Sequence, residues 1–418
     1  MKFRFIANAC GIFVGREGTQ LLMDPWLDDG VFEGSWCHYP PLSTTHQDLQ
    51  EVDAIYLSHI HPDHYDERFF DYPKDTPIFV LDSKYDFLAK NLERSGYTNI
   101  VKCRTGESVD FMELTLTLFE PFSKHLYHES KVGNLIDSAL VVTDGSGLTA
   151  FNANDNTPDL DACRMLKERY GEIDLAMINY NAAGAYPSCF QNLTDEEKRN
   201  EHERILKRNI DHLINCCDTL LPRAILPFAG AYVIGGKQWK KNQYLGTTTW
   251  DDCARRIREA SKHCAVTMTE NDVLDLKTLT LNRPYTPINE SEQQSYIENT
   301  LSKISYPHEQ EKHPSAESLD SAIRESIERL QGRASRYQIS VKSRIKVTTG
   351  EDMHWIVNEG DEEYGVNLEF VIDPRLLIRI LDRRAHWNNA EIGCHIDIWR
   401  QPNTYEPDAH TLMQFLHL

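Results

Sequence analysis

The chain has 418 residues, with 44 Lys or Arg against 64 Asp or Glu, and a formal net charge of −20. Because so acidic a surface repels phosphate backbones and anionic lipid heads, neither nucleic acid nor a membrane is expected as a bulk partner. Apolar residues make up 40% of the chain, which excludes disorder throughout and, with the length, predicts two or three domains.

Two features bear on where the protein works. Asn8 and Gly11 interrupt the apolar N-terminal segment, which therefore makes a poor signal peptide, and no apolar run approaches the ~20 residues that cross a bilayer. The ten cysteines are scattered without a C-x-x-C pair. Free thiols in a reducing compartment are the simplest interpretation, so a cytoplasmic protein is expected.

In the first half of the chain, short apolar runs alternate with polar turns. Strands are expected at 3–7, 10–15, 19–24, 53–58 and 77–81, followed by a helix at 84–95. Further strands are expected at 114–119, 138–143, 148–153 and 174–179, with a helix at 159–170. Paired strands interspersed with helices favour an α/β (α+β) sandwich.

The second half begins with a long helix. Thr194 and Glu197 form a capping box at its start, and a buried strand with a Gly-rich loop follows at 223–236. Residues 283–317 are rich in Pro, Ser, Glu and Gln and predict a polar connector with room for one short helix. This divides the chain into a catalytic domain at 1–282, the connector, and a C-terminal α/β extension at 318–418 that packs on the catalytic domain.

The C-terminal extension has its own pattern. Apolar residues recur at helical spacing from Leu319 to Leu330. The tail from 365 predicts a strand, a helix at 375–384, a strand at 391–399 and a last helix.

The segment YLSHIHPDHYD is the most informative in the chain. His59, His61, Asp63 and His64 form an H-x-H-x-D-H pattern directly after the strand at 53–58. Two His at i and i+2 can point two imidazoles into one cavity, and the Asp and third His can serve a second metal. These side chains suit Zn²⁺, Fe or Mn²⁺ and are costly to bury together without a metal. The pattern therefore predicts one or two transition metal ions, with a His-rich surface turn as the alternative.

This pattern resembles the metallo-β-lactamase superfamily, and the resemblance implies an αββα sandwich. It places Asp24, at the end of an early strand, as a support for the site that does not bind metal directly. A third His is expected before the strand at 138–143, where His125 and His128 are the candidates and His128, being closer to the strand, is preferred. Asp155 matches the carboxylate that bridges two metals in the superfamily.

One superfamily motif is missing. Many relatives carry a His after a late strand, but the equivalent stretch AILPFAGAY has Phe228 there. His212 and His263 lie in helix-like sequence and are poor substitutes. The second metal site is therefore expected to be poor in ligands and to hold its metal weakly or not at all.

A closer resemblance runs along most of the chain and is weaker from about 283 to 365. The segments LLMDPWLDDGVFEGSWCHYPP, NYNAAGAYP and ILPFAGAYVIG are similar to the metallo-β-lactamase domain of the CMP-N-acetylneuraminate hydroxylase family. That family shares the missing late His and has an N-terminal Rieske domain with a [2Fe–2S] cluster. No Rieske domain is expected here, because the first residues already resemble the sandwich.

These patterns leave three functions open. The favoured one is a metallo-hydrolase of a small ester, lactone or phosphoester, in which a metal-bound hydroxide attacks the substrate. His59, His61 and His128 would hold the first metal, and Asp63, His64 and Asp155 the second. Asp63 and Asp155 are the catalytic candidates, with Asp63 as a base.

The alternative is an iron-dependent hydroxylase that receives electrons from a separate Rieske or ferredoxin partner, and the third function is a scaffold that only binds a ligand. In each case the expected ligand is a small molecule, with sugars and nucleotide-sugars included. A homo-oligomer is compatible with all three functions.

Five residues in loops after strands are candidates for the substrate pocket. Aromatic and amide side chains at such positions can line a cavity, and packing is the alternative interpretation. The candidates are Trp26, Trp36, Asn181, Tyr186 and Tyr232.

Overall fold

The computed structural model describes residues 1–122, 136–357 and 366–417. Its strands in the first half are β1 (Lys2–Ala7), β2 (Cys10–Val14), β3 (Gln20–Met23), β4 (Trp36–Cys37), β5 (Ala54–Tyr56), β6 (Ile78–Leu81), β7 (Ile100–Cys103), β8 (Ser108–Phe111), β9 (Leu114–Phe119), β10 (Ala139–Asp144), β11 (Thr149–Asn152) and β12 (Leu175–Ile178). Those in the second half are β13 (Ala224–Pro227), β14 (Val233–Ile234), β15 (Val273–Asp275), β16 (Thr280–Leu281), β17 (Arg344–Thr349), β18 (Asp352–Val357), β19 (Asn367–Val371) and β20 (Asp397–Gln401).

The helices are mostly short, apart from two long ones. They are α1 (Val31–Gly34), α2 (Phe87–Arg94), α3 (Leu160–Tyr170), α4 (Asp195–Leu220), α5 (Trp250–Ala260), α6 (Glu290–Asn299), α7 (Ala316–Tyr337), α8 (Pro374–Leu381), α9 (Trp387–Ile392) and α10 (Pro407–Met413). The first of these is a single turn with left-handed backbone angles at Phe32 and Glu33. Within the described ranges, no helix has the length and apolarity needed to cross a membrane.

Two sheets face each other across the main core. One has the strand order β16-β15-β1-β2-β3-β5-β6-β7, and the other has the order β13-β12-β11-β10-β9-β8. Apolar side chains from both sheets, such as Phe3, Tyr56, Leu116 and Met177, are fully buried between them. Burial of this apolar area is the main favourable term in the folding of the sandwich.

Helices cover the outer faces of both sheets. Residues of α3, α4 and α5, including Leu166, Leu213 and Ile257, pack on the second sheet, and Ala89 and Leu92 of α2 pack on the first. The predicted αββα sandwich is therefore confirmed.

The C-terminal residues form a second layered unit. Its four-stranded sheet has the order β18-β17-β19-β20, and α7 to α10 contribute to one apolar core with it. This core extends to Trp26 after β3, Phe32 in α1 and Trp36 in β4. The Trp36 indole N–H donates to the Ile392 carbonyl at 3.3 Å, which ties the two units together. The stretch expected as a connector holds α6 and two short 3-10 turns at 301–303 and 307–310.

Several elements differ from the sequence-based expectation. The strands β7, β8, β17 and β18 were not expected, because they contain charged residues and lack the continuous apolar runs of the predicted strands. The strand expected at 391–399 is wrong in its first part. There α9 ends at Ile392, since Trp387 and Ala390, three residues apart, are both buried on one helix face, and the strand begins only at Asp397.

A matched pair of methionines tests the position of the main core. Met177 is fully buried between the sheets, whereas Met165 on α3 is 37% exposed. We expect Met177→Ala to lower the free energy of unfolding by about 2–5 kcal/mol, because it leaves a cavity. The same change at Met165 should stay within about 0.5 kcal/mol. Urea unfolding of both variants measures the difference, and equal midpoints would contradict the assigned core.

Candidate metal centre

The H-x-H-x-D-H segment leaves the first sheet where β5 ends. The strand is buried on both faces, and the loop after it folds back through hydrogen bonds from the backbone N–H groups of His64 and Tyr65 to the His61 carbonyl, at 3.0 and 2.9 Å. This turn brings His61 and His64 back toward His59. The local fold thus gathers imidazoles that the sequence spaces over six residues.

A first group of ligand-type atoms surrounds the His59 ring. His59 Nε2 lies 2.9 Å from His61 Nδ1 and 3.4 Å from Asp137 Oδ1. One ligand atom from each of these three residues lies within 4.8 Å of the others, a spacing at which they could hold one metal ion.

A second group shares His59 with the first. His64 Nε2 lies 3.5 Å from Asp155 Oδ2, and His59 Nε2 lies 3.8 Å from the same oxygen. These three residues also meet the spacing of a metal site. Asp63 Oδ2 is 3.4 Å from His64 Nε2 and lies beside this group.

The chemistry of these donors fits a transition metal. His64 Nε2 is buried and has no hydrogen-bond partner among the described residues, although two carboxylates approach it. A buried polar atom without a partner is costly, and a cation between the imidazole and the carboxylates would remove that cost. Each group offers two His and one Asp, a donor set that zinc and iron both accept.

Burial and charge set the protonation of the cluster. Burial, reinforced by the neighbouring His64, lowers the pKa of His59 to about 4, and burial also lowers the pKa of His61. Both imidazoles are therefore neutral near pH 7, which is the form that binds metal.

His64 and Asp155 of the second ligand group hold charge, unlike His59 and His61. Burial alone would lower the pKa of His64, but the carboxylates of Asp63, Asp155 and Asp24 outweigh it and raise that pKa well above its usual value. Burial would raise the pKa of Asp155, but His64 holds it well below its usual range. A proton or a metal cation at His64 thus balances the negative charge of the same carboxylates.

Asp24 supports the cluster from the end of β3. Its Oδ1 accepts from the Ser58 backbone N–H at 2.8 Å, and its Oδ2 accepts from the Ser58 hydroxyl at 2.7 Å and faces His64 Nδ1 at 2.9 Å. A proton on Nδ1 is therefore shared with Asp24, and Nε2 is the ring atom that faces Asp155 and is left for a proton or a metal. Asp24 belongs to neither ligand group.

The remaining histidines considered from the sequence are placed as follows. His125 and His128 lie outside the described residues. The His212 ring is 2.9 Å from the Pro158 carbonyl, and the His263 ring is 2.7 Å from Asp218. Phe228, at the position of the missing late His, is buried and contacts other aromatic rings in the main core.

The five pocket candidates make packing and hydrogen-bond contacts. Trp36 stacks on Tyr232 with ring centroids 3.4 Å apart, and Trp26 lies 6.2 Å from Trp36. The Asn181 amide bonds the backbone of Gly230 and Thr248. Tyr186 packs edge-on against Phe190.

Sequence reasoning missed two residues of the centre. Asp137 lies two residues before β10, and its place near the start of a buried strand was the only available signal. Asn8 follows β1, donates from Nδ2 to Asp63 Oδ2 at 3.4 Å, and accepts from the Ala231 N–H at 2.9 Å. Nothing in the local sequence distinguishes Asn8 from an ordinary turn residue.

Residues 19–220 match the family model described as "Beta-lactamase superfamily domain". The match contains H-x-H-x-D-H, Asp137 and Asp155 and covers most of the two-sheet sandwich. This part of the chain is thus similar to that superfamily domain, in agreement with the resemblance of its sequence.

Curated proteins match parts of the chain. A protein of Mycobacterium tuberculosis named as a Rieske 2Fe–2S iron–sulfur protein is 32% identical over 191 residues, which is 43% of this chain and 34% of that protein. The cytidine monophosphate-N-acetylneuraminic acid hydroxylase of Danio rerio is 24% identical over 302 residues, which is 67% of this chain and 46% of the hydroxylase. The chain thus spans less than half the length of either relative.

Two solved structures that align with part of this chain are named as a hydrolase and as a hydroxylase. The isothiocyanate hydrolase from Delia radicum gut bacteria aligns with a TM-score of 0.47 at 18% identity, covering 66% of this chain and 99% of the hydrolase. CmlA, a diiron β-hydroxylase from Streptomyces venezuelae, aligns with a TM-score of 0.44 at 16% identity, covering 65% of this chain and 53% of CmlA.

The contacts of Asp24 generate a prediction about metal affinity. Asp24→Asn keeps the shape but removes the charge that orients His64, so we expect metal affinity to fall about 10–100-fold without complete loss. Competition with a chromophoric chelator measures this change. Asp110→Asn, on the exposed strand β8, is the matched control and should leave affinity unchanged. Complete loss of metal with a normal fold would instead make Asp24 a direct ligand.

Proposed function

We propose that the protein is a non-haem iron hydroxylase that inserts one oxygen atom of O₂ into a C–H bond of a small molecule. The carrying observation is that Asp137 joins His59 and His61, so that both ligand groups consist of two His and one Asp. Two His and one carboxylate with open positions are the typical ligands of non-haem Fe(II) oxygenases.

The composition of the whole cluster is compatible with iron. Asp63, Asp137 and Asp155 surround three imidazoles, and this donor set differs from the Cys and His of a structural zinc site. The position where many relatives have a further His holds the buried Phe228, which leaves room for open coordination positions.

The reaction needs electrons from outside the substrate. It balances as R–H + O₂ + 2e⁻ + 2H⁺ → R–OH + H₂O, and bound iron would supply the activation of O₂. The chain's own residues hold the ligands: Ser58 and Asp24 fix the His64 tautomer, and Asn8 positions Asp63. Buried neutral His59 and His61 are ready to bind without first losing protons.

The relatives suggest the partner and the substrate class. One is named for a Rieske 2Fe–2S protein and another for a nucleotide-sugar hydroxylase. We therefore propose a separate Rieske or ferredoxin protein as the electron donor and a sugar or nucleotide-sugar as a substrate to test first.

Hydrolysis of an ester, lactone or phosphoester is the second candidate, and Asp63 favours it. This carboxylate is 5% exposed, is held by Asn8, and belongs to neither three-residue ligand group. A buried carboxylate beside a metal centre is well placed to take a proton from an attacking water.

Iron stoichiometry tests the role of Asp137. Protein reconstituted anaerobically with Fe(II) should retain about one iron ion per chain after desalting, because both groups use His59 Nε2 and an imidazole nitrogen has one lone pair to give to a metal. Asp137→Ala should lose at least about half of this iron, whereas Asp110→Ala on β8 should lose none. Unchanged iron content in the Asp137 variant would show that Asp137 is not a ligand and would contradict the proposal.

A paired activity assay separates the two candidates. The iron form, given a ferredoxin, its reductase and a panel of nucleotide-sugars, should consume O₂ and yield a product 16 Da heavier, as the equation requires. His59→Ala should abolish this activity by removing the ligand that both groups share. Hydrolysis of esters or lactones by anaerobic protein without reductant, lost in His59→Ala, would favour the second candidate instead.

A further inference from the structure

A cleft of about 220 Å³ lies next to the metal centre. Its inner surface is buried and its rim, formed by the turn at Pro40 and Pro41, is exposed. It is lined by Phe5, Ile6, Ala7, Asn8, His38, Tyr39, Pro40, Pro41, Leu42, Ala231, Trp250, Thr269 and Glu270. A buried floor below an exposed rim gives a small molecule a path inward.

Within the described part of the chain, His38 places one side-chain nitrogen without a hydrogen-bond partner at this cleft. The residue is 4% exposed, and its Nε2 has no hydrogen-bond partner among the described residues. Its Nδ1 lies 3.2 Å from Asp29 Oδ1, and its ring packs on Trp26 with centroids 3.9 Å apart. When neutral, His38 thus donates from Nδ1 to Asp29 and offers the Nε2 lone pair as an acceptor.

The other polar side chains on the wall are already engaged. The Glu270 carboxylate accepts from the Ser43 N–H at 2.9 Å and the Thr44 N–H at 2.6 Å. The Asn8 amide bonds Asp63 and Ala231. The rest of the lining is largely apolar or aromatic, so a ligand must bring apolar surface and one hydrogen-bond donor.

Asn8 connects the cleft to the metal centre. It lines the cleft and its amide also donates to Asp63, which in turn lies 3.4 Å from His64 Nε2. A ligand seated against Asn8 is therefore one side chain away from the carboxylates of the centre.

We propose that this cleft holds a planar aromatic or heteroaromatic ring of the substrate, with one O–H or N–H of the ring donating to His38 Nε2. The inference rests on the proposed function, since it makes the cleft a subsite that anchors the substrate beside the metal centre. The aromatic walls supply stacking area, and the His38–Asp29 pair supplies directionality.

Phenol and anisole are the probes, because they share a ring and differ in the O–H donor. Their dissociation constants are measured on the full-length protein by NMR titration, with no reductant or substrate present. We expect the wild type to prefer phenol about tenfold, the ratio typical of one buried hydrogen bond. His38→Phe keeps a ring against Trp26 but removes the acceptor, and should bring the ratio near one. His263→Phe is the matched control. This histidine also pairs with an aspartate, Asp218, but lies outside the cleft, so the variant should keep the wild-type ratio.

A second variant guards against misfolding at His38. Leu42→Trp fills the cleft from its rim and should weaken both probes by at least about tenfold while leaving His38 in place. Failure of either probe to bind the wild type, or an unchanged ratio in a folded His38→Phe variant, would overturn the inference. Because binding needs no turnover, such a result would leave the iron stoichiometry and O₂ consumption of the proposed function unaffected, and failure of those assays would leave ring binding intact.

Discussion

The buried carboxylate of Asp24 is the interaction on which the rest of the centre depends. It sits at the end of β3, which pairs in parallel with β5, and it reaches across to the loop that carries the histidines. An ionised carboxylate without solvent is costly to bury unless hydrogen bonds surround it. Here the Ser58 N–H and hydroxyl and the His64 ring surround it, so the loop is fixed and the His64 Nε2 is aimed at Asp155.

The C-terminal unit supports the same region from the other side. The loops after β3 lie between the sandwich and this unit, where Trp36 stacks on Tyr232 and bonds Ile392. The His395 ring lies 3.0 Å from the Phe32 carbonyl and adds a second tie. The turn that carries His38 and the rim of the cleft is thus held by packing from both units, although it belongs to no long helix or strand.

Local sequence patterns predict the helices, strands and motifs that local forces determine. The sandwich strands and the long helix from the Thr194 capping box follow from apolar periodicity and capping, and the H-x-H-x-D-H segment follows from the density of ligand-type side chains. Asp137 and Asn8 were missed because they reach the centre only through the tertiary fold. Asp137 precedes a strand of the second sheet, so the packing of the two sheets brings it to His59. Asn8 follows β1 and reaches Asp63 through the strand order of the first sheet, in which β1 and β5 are far apart in sequence.

The central claim is that Asp137 and Asp155 each complete a group of two His and one Asp around the shared His59. Anomalous diffraction at the iron edge from crystals of the iron-loaded protein tests it most directly. We predict an iron peak bordered by His59, His61 and Asp137, with His64 and Asp155 on its other side. A peak with Asp137 outside coordinating distance, or iron bound away from His59, would contradict it.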